Sequence, residues 1–181
     1  MAGPNASTQQ ELSSLRDPHG APPAKGAPRG EVLDAGKAIS PHPPVHLPAG
    51  HRAFIEQLAR SGYPHEACGL LLGRHDPDAT RIIRVTGARN LATDRLADRY
   101  LLDPQDYLYA DQHARVHGLE IVGIWHSHPD HPARASVTDL GNAWPDYSYV
   151  IVAVHQGEVV DLTSWRLDGK NFIQQIVKEN S

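Results

Sequence analysis

The sequence is poor in three features, and each shortage excludes a class of protein. Cys68 is the only cysteine in 181 residues, so an internal disulfide is impossible, and a single thiol is compatible with a reducing cytoplasm. No stretch approaches the roughly 20 apolar residues of a membrane-spanning helix, and the first thirty residues hold no apolar run, so we expect neither a membrane span nor a secretory signal. The net charge of −4 lacks the basic surplus of a general nucleic-acid binder.

The first fifty residues differ in composition from the rest of the chain. Prolines cluster there, large apolar side chains are sparse, and glycine, alanine and serine fill the gaps. Such a segment cannot bury enough apolar surface to offset the entropy that is lost on ordering. We therefore predict a disordered tail over residues 1–45 and one folded domain over residues 46–181, with regular structure beginning near Ala49.

The remaining residues alternate between helix and strand patterns. Apolar residues at helical spacing predict a helix over 51–62, and an apolar run bounded by glycines predicts a buried strand over 67–73. Asp103 and Pro104 are typical of a helix start, and that helix should stop at Gly118. Similar patterns predict strands over 81–86, 100–102, 120–126, 147–154 and 158–167, a short helix over 136–143, and an ambiguous segment over 172–177. This order predicts an α/β fold, a mixed β-sheet flanked by helices.

The most informative pattern is His126-Ser127-His128-Pro129, which is followed after a short loop by Asp139. Strand side chains alternate faces with a period of two, so the two imidazoles should point to one side while Ser127 points to the other. Two such nitrogens and a nearby carboxylate can bind one divalent metal. Three protein ligands leave the fourth position of a zinc site open for water, whose pKa the metal lowers toward ~7. Nitrogen and oxygen ligands also accept iron, cobalt or manganese.

Two further residues are candidates for the chemistry around such a metal. Glu66 precedes the predicted buried strand, where it could act as a general base without binding the metal, or could be an ordinary surface glutamate at a strand entrance. Ser136 could donate a hydrogen bond to a developing oxyanion, or could only cap the short helix in partnership with Asp139. Capping and metal binding are compatible for Asp139, because a capped helix start would hold its carboxylate near the histidines. Cys68 is interpreted as a buried structural thiol.

The order and spacing of five of these residues resemble the JAMM (MPN+) metalloprotease motif: Glu66, His126, His128, Ser136 and Asp139. The flanking residues 64–73 and 125–129 are similar to those of the compact bacterial and archaeal members. The resemblance covers roughly residues 50–168, and no motif residue is missing. One small departure is Ala135, where many relatives have proline, and it affects loop stiffness rather than metal binding.

The resemblance implies a fold, a cofactor and a set of roles. The fold would be that of an MPN or JAB domain, which is similar to the cytidine deaminases. One Zn²⁺ per chain would be bound by His126, His128 and Asp139. Glu66 would be the general acid/base, and Ser136 would stabilise the oxyanion during hydrolysis of a peptide or isopeptide bond.

The resemblance also implies a class of substrate. The typical substrate is the C-terminal tail of a ubiquitin-like or sulfur-carrier protein that ends in diglycine. Only a few residues separate the predicted helix over 136–143 from the strand over 147–154, so a long clamp for ubiquitin chains is absent, and one small ubiquitin-like protein is favoured. We expect no nucleic-acid or membrane partner, and the oligomeric state stays open, with a dimer possible.

Two alternative functions remain open. A deconjugase of a bacterial ubiquitin-like modification or anti-phage system would use the same chemistry in another pathway. A non-catalytic MPN interaction module would keep the metal ligands without turnover, although the complete motif disfavours it. A relative associated with DNA repair is disfavoured, because those proteins resemble a His-Asn-His-Pro pattern and this chain has no basic surplus.

Overall fold

A computed structural model describes residues 40–141 and 143–179. Most of the predicted tail, up to residue 39, lies outside this range. The described strands are β1 (Val45–His46), β2 (Cys68–Asp76), β3 (Ala79–Ala88), β4 (Glu120–Pro129), β5 (Ser148–His155), β6 (Glu158–Asp168), β7 (Asn171–Gln175) and β8 (Val177–Lys178). The described helices are α1 (Ala49–Gly62), α2 (Pro104–Val116) and α3 (Val137–Gly141). Regular structure therefore reaches back beyond the expected start at Ala49, to Val45, whose side chain is fully buried.

The strands form one mixed sheet in the order β7-β6-β5-β4-β2-β3-β1-β8. β7 and β8 stand at opposite ends of this order, yet only Ile176 separates them in the sequence. Neighbouring strands are about 4.8 Å apart, so a flat sheet of this size would hold its two end strands roughly 34 Å apart. Two residues span only about 7 Å. The sheet must therefore curl until its two ends meet at Ile176.

Helices cover both faces of the sheet and define two apolar cores. α1 packs against β3, β4, β5 and β6, and α2 packs against β2, β3 and β4. Alternation along the central strands sorts their side chains between the two cores. The α1 side contains Ile55, Ala59, Leu71, Val122, Trp125, Val150 and Val152. The α2 side contains Cys68, Leu70, Leu72, Tyr107, Ala110, Ile124 and Ile151. The α/β fold with a mixed sheet between helices is confirmed.

Gly69 gives Trp125 its place in the core, next to the first histidine of the motif. A Cβ atom on Gly69 would lie 2.3 Å from Trp125 Nε1 and 2.0 Å from the Thr86 carbonyl oxygen, so a larger residue does not fit. The indole N–H of Trp125 donates to that carbonyl at 2.9 Å. This close packing joins β2, β3 and β4 beside His126.

The helix α2 begins and ends where the sequence predicts. The Asp103 carboxylate accepts a hydrogen bond from the Gln105 N–H at 2.7 Å, and Gly118 follows the helix with a positive φ of 64°. The expected strand near residues 100–102 is wrong, because this segment makes a single bridge to Asn90 and otherwise runs as a loop. Among the described helices, none has the length and apolar character needed to cross a membrane.

Candidate metal centre

The two histidines of the motif lie at the end of β4, which is paired on both sides. β2 runs antiparallel along one edge and β5 runs parallel along the other as far as Pro129. His126 and His128 are 0% and 1% exposed, and their ring centroids are 4.9 Å apart. The Ser127 hydroxyl instead accepts a hydrogen bond from the Ala67 N–H. The strand alternation that was predicted from the sequence thus brings the two imidazoles together.

The side chain of Asp139 completes a group of three candidate metal ligands. His126 Nε2 is 2.9 Å from His128 Nε2 and 3.4 Å from Asp139 Oδ1, and His128 Nε2 is 3.9 Å from Asp139 Oδ2. Ligand atoms that each lie about 2.0–2.1 Å from a tetrahedral zinc are separated by roughly 3.3 Å. The observed separations bracket that value, so the three side chains could hold a metal ion with only small adjustments.

Hydrogen bonding fixes which nitrogen of His128 faces the ligand group. His128 Nδ1 lies 2.8 Å from the Pro132 carbonyl oxygen, which can only accept, so Nδ1 carries the proton. The lone pair is then on Nε2, which points at His126 Nε2. Two imidazole nitrogens at 2.9 Å repel each other unless a proton or a cation lies between them. This arrangement fits a metal-binding pair, in which the second nitrogen of the ring is held by a carbonyl.

Asp139 is held by Ser136 through reciprocal hydrogen bonds at the start of α3. The Ser136 N–H and hydroxyl both donate to Asp139 Oδ2 at 2.7 Å, and the Asp139 N–H donates to the Ser136 hydroxyl at 3.1 Å. Both side chains are buried, at 4% and 8% exposure. The capping interpretation of these two residues is therefore correct. It also leaves Asp139 Oδ1 directed at His126, so capping leaves one carboxylate oxygen available as a candidate metal ligand.

The loop between the second histidine and Ser136 is anchored at its middle. The Ala133 carbonyl accepts hydrogen bonds from Trp165 Nε1, at 3.2 Å, and from the Thr163 hydroxyl. Ala135, at the position where the resemblance leads one to expect proline, is 1% exposed. The anchoring by Trp165 shows how this loop can be held without a proline at that position.

Asp130, the first residue of that loop, faces the α1 side of the sheet rather than the ligand group. It has a positive φ of 54° and accepts hydrogen bonds from the Gln156 N–H at 3.0 Å and the Tyr63 hydroxyl at 3.0 Å. These two bonds hold the pKa of Asp130 below its usual range, with His155 and His131 adding a smaller effect of the same sign. Asp130 therefore fastens the exit of β4 to neighbouring turns.

Glu66 is buried, which rules out the interpretation as an ordinary surface glutamate. Its side chain is 3% exposed. Cys68 pairs with His126 across β2 and β4, and Ser127 N–H donates to the Ala67 carbonyl at 2.9 Å, so the register continues to a Glu66–His128 pair. Residues that face each other across an antiparallel pair lie on the same side of the sheet. Glu66 therefore shares the face of the two histidines.

The segment 91–101 also contacts this group, a contact that the sequence does not predict. The Tyr100 ring stacks on the His126 ring, with centroids 4.9 Å apart and planes 28° apart. The Leu96 carbonyl accepts a hydrogen bond from the Glu66 N–H at 2.7 Å. Asn90, two residues after β3, was the one available signal, since an asparagine between a strand and a loop often bonds to nearby main chain.

Cys68 is the buried structural thiol that the sequence predicts. It is 1% exposed and lies opposite His126. Burial raises the pKa of its thiol to about 12, and the charge of Asp106 adds to the effect. At neutral pH the sulfur is therefore protonated, which makes it a poor metal ligand and a poor nucleophile.

Comparisons with known proteins agree with this arrangement. A family model described as prokaryotic homologs of the JAB domain matches residues 48–168. A curated protein named desampylase from Haloferax volcanii is 36% identical over 113 residues, which cover 59% of this chain and 78% of that protein. A second desampylase, from Pyrococcus furiosus, is 29% identical over 127 residues, covering 69% of this chain and 81% of that protein.

Solved structures show the same fold. A solution structure of a protein from Desulfitobacterium hafniense has a TM-score of 0.65 and 31% identity, covering 75% of this chain and 94% of its own. A solution structure of a Salinibacter ruber protein has a TM-score of 0.55 and 38% identity, covering 71% and 89%. The residues 48–168 that the family model matches include His126, His128 and Asp139.

Proposed function

This chain belongs to the family of prokaryotic JAB-domain proteins, and on that premise we propose that it is a zinc-dependent metallopeptidase. The bond that it hydrolyses is the peptide or isopeptide bond after the C-terminal diglycine of a ubiquitin-like or sulfur-carrier protein. One observation carries the proposal: a buried glutamate shares the sheet face of two buried histidines, whose ligand atoms converge with that of Asp139.

The residues present fit a zinc ion. Two imidazole nitrogens and one carboxylate form a donor set that zinc accepts, and their separations bracket the value of a tetrahedral centre. His126, His128 and Asp139 would hold the ion, one per chain. When bound, zinc acidifies water and polarises a carbonyl group.

Glu66 is proposed as the general acid/base. A carboxylate on the face of the ligands, but outside the ligand group, can take a proton from the attacking water and return one to the leaving amine. Its burial excludes bulk water that would compete for these protons. The role requires a side chain held in a fixed direction, which the hydrogen bonds around its main chain support.

Ser136 is proposed as the oxyanion stabiliser, and its hydroxyl has to change partners to act. A hydroxyl has one proton to donate, and here that proton goes to Asp139 Oδ2 at 2.7 Å. The Ser136 N–H also donates to Oδ2, so the carboxylate keeps one bond if the hydroxyl turns away. The hydroxyl would then donate to the developing negative charge on the substrate carbonyl oxygen.

The substrate class is supported by the relatives and by the short connection after α3. The curated relatives carry the enzyme name desampylase. The chain between Gly141 and Ser148 is only a few residues long and leaves no room for a clamp around a ubiquitin chain. One small ubiquitin-like protein with an extended tail therefore suits this site best, and main-chain pairing would let the tail bind in extended form. We propose that the reaction takes place in the cytoplasm, where a reduced thiol such as Cys68 is usual.

A cleavage assay tests the proposal. The purified full chain is analysed for bound metal and then incubated with a ubiquitin-like protein fused through its terminal diglycine to a short peptide. We expect about one zinc per chain, cleavage after the second glycine, loss of cleavage with a chelator, and recovery on adding zinc back. A fusion with Ala-Ala in place of Gly-Gly is the control and should be cleaved much more slowly. Equal activity with and without metal would overturn the proposal, and metal binding without any turnover would favour the non-catalytic module.

A further inference from the structure

The peptide group that joins Glu66 to Ala67 is held from both ends by side chains of other segments. Its carbonyl oxygen accepts a hydrogen bond from Asn90 Nδ2 at 3.0 Å. Its N–H donates to the Ser127 hydroxyl at 2.9 Å. The preceding N–H, that of Glu66 itself, donates to the Leu96 carbonyl at 2.7 Å. A peptide group held at both its donor and its acceptor resists rotation, so the direction in which the Glu66 side chain leaves the main chain is held with it.

Ser127 is suited to this task by its position between the two histidines. It is fully buried, and strand alternation turns its side chain away from the ligand face, so it does not bind a metal there. Its N–H donates to the Ala67 carbonyl at 2.9 Å while its hydroxyl accepts from the Ala67 N–H. The residue that spaces the two imidazoles therefore also joins the Glu66 segment to β4.

Asn90 holds the carbonyl end of the Glu66–Ala67 peptide group, and its side-chain amide makes four hydrogen bonds. An amide side chain offers two donor hydrogens and two acceptor lone pairs. The Asn90 NH₂ group donates to the carbonyls of Glu66 and Arg99, at 3.0 and 3.1 Å, and its oxygen accepts from the N–H groups of Ala92 and Leu101, both at 2.9 Å. These bonds allow one orientation of the amide. They also join Glu66 to the segment whose Tyr100 ring stacks on His126.

We propose that Ser127 and Asn90 are positioning residues, which act on the reaction only by holding the Glu66–Ala67 peptide group. The inference rests on the proposed role of Glu66 as general acid/base. Proton transfer requires heavy atoms within about 2.6–3.2 Å, and a displacement of ~1 Å can cost on the order of 100-fold in rate. Releasing one end of the peptide group should therefore slow the chemical step without removing a ligand or a substrate contact.

Kinetics of paired variants test this for Ser127. We expect Ser127→Ala to lower kcat by about 10- to 100-fold, with KM within about twofold and zinc content unchanged. Ser127→Thr keeps the hydroxyl and should recover most of the lost rate. Ser164→Ala is the matched control, because Ser164 is equally buried and its hydroxyl bonds to Gln175, away from the metal centre. In a Glu66→Gln background, Ser127→Ala should cause no further loss, since a residue acting through Glu66 has nothing left to position.

Asn90→Asp provides a second test in case Ser127→Ala folds poorly. Aspartate keeps the shape and the acceptor of Asn90 but replaces the NH₂ donors, so it should lower kcat in the same way. Asn171→Asp, at an exposed site at the start of β7, makes the same change as a control.

Amide hydrogen exchange on the zinc-loaded protein measures how firmly the Glu66–Ala67 peptide group is held, and it needs no turnover. In Ser127→Ala the Ala67 amide should exchange at least about 10-fold faster, while the amide of Leu71, in the middle of β2, should be unchanged. The inference is overturned if Ala67 exchange is unaltered, if Ser127→Ala matches Ser164→Ala in kcat, or if the effect persists in the Glu66→Gln background. If the wild type does not cleave at all, the proposed function fails and the positioning role falls with it, whereas the exchange result still reports on the hydrogen bond.

Discussion

Replacing Ser136 by alanine separates its two roles, as a cap that holds Asp139 and as an oxyanion stabiliser. The substitution removes the hydroxyl bond to Asp139 Oδ2 and leaves the Asp139 N–H without its acceptor, but the Ser136 N–H can still donate to Oδ2. Loss of an N-terminal cap costs about 1 kcal/mol, and a hydrogen bond to a charged group contributes about 1.5–3 kcal/mol. Because one of the two bonds to the carboxylate survives, we expect a net loss of about 2 kcal/mol.

That loss corresponds to a lower Tm by about 4–8 °C, which thermal unfolding would measure. Metal affinity should fall about 10-fold, because Asp139 is less firmly oriented. At saturating zinc the metal site is filled even if its affinity has fallen, so loss of the cap no longer lowers the rate. Only loss of an oxyanion role would then lower kcat, by about 100- to 1,000-fold. Single-turnover cleavage at saturating zinc is the assay, with Ser164→Ala as a buried control. A kcat within about threefold of the wild type would refute the oxyanion role and leave Ser136 as a cap.

Two further predictions concern residues outside the ligand group. Because burial raises the pKa of Cys68 to about 12, the folded protein at pH 8 should resist alkylation by iodoacetamide. Labelling should appear only as the chain unfolds in urea. Rapid labelling under native conditions would contradict the burial of this thiol. The lowered pKa of Asp130 means that its contribution to stability is present above its unfolded pKa of about 3.9 and is lost as the pH falls through the lower folded value. Urea unfolding should therefore show the wild type more stable than Asp130→Asn at pH 6, with the gap narrowing as the pH is lowered into the acid range. A gap that does not depend on pH would argue against the assigned hydrogen bonds.

The sequence predicts those parts of the fold that carry a strong periodic pattern. β4 and the ends of α2 follow from alternation, from the Asp103 cap and from Gly118, all of which are local signals. β1 and β8 were missed, because a two-residue strand has no periodicity to detect. Their pairing depends on the curl of the whole sheet, which joins residues far apart in the sequence.

In the candidate site, too, the features that depend on local sequence were predicted and those that depend on long-range pairing were not. Strand alternation correctly placed both imidazoles on one face, because their relation is local to β4. The burial of Glu66 depends on the register in which β2 pairs with β4. Some sixty residues separate Glu66 from His126 in the sequence, and that spacing does not specify the register. The sequence marks Asn90 only as a residue that can bond to main chain, because the fold brings its four partners to it: Glu66 and three residues of the segment 91–101.

In the proposed mechanism, Glu66 moves protons beside a metal that His126, His128 and Asp139 would bind. Glu66→Gln preserves the size of the side chain and its hydrogen-bonding capacity but removes the carboxylate. We expect this variant to retain about one zinc per chain and to lose about 100- to 10,000-fold in kcat on the diglycine fusion. Zinc analysis and cleavage assays on the same preparation measure both quantities. Cleavage at the wild-type rate, or loss of zinc together with activity, would contradict the account.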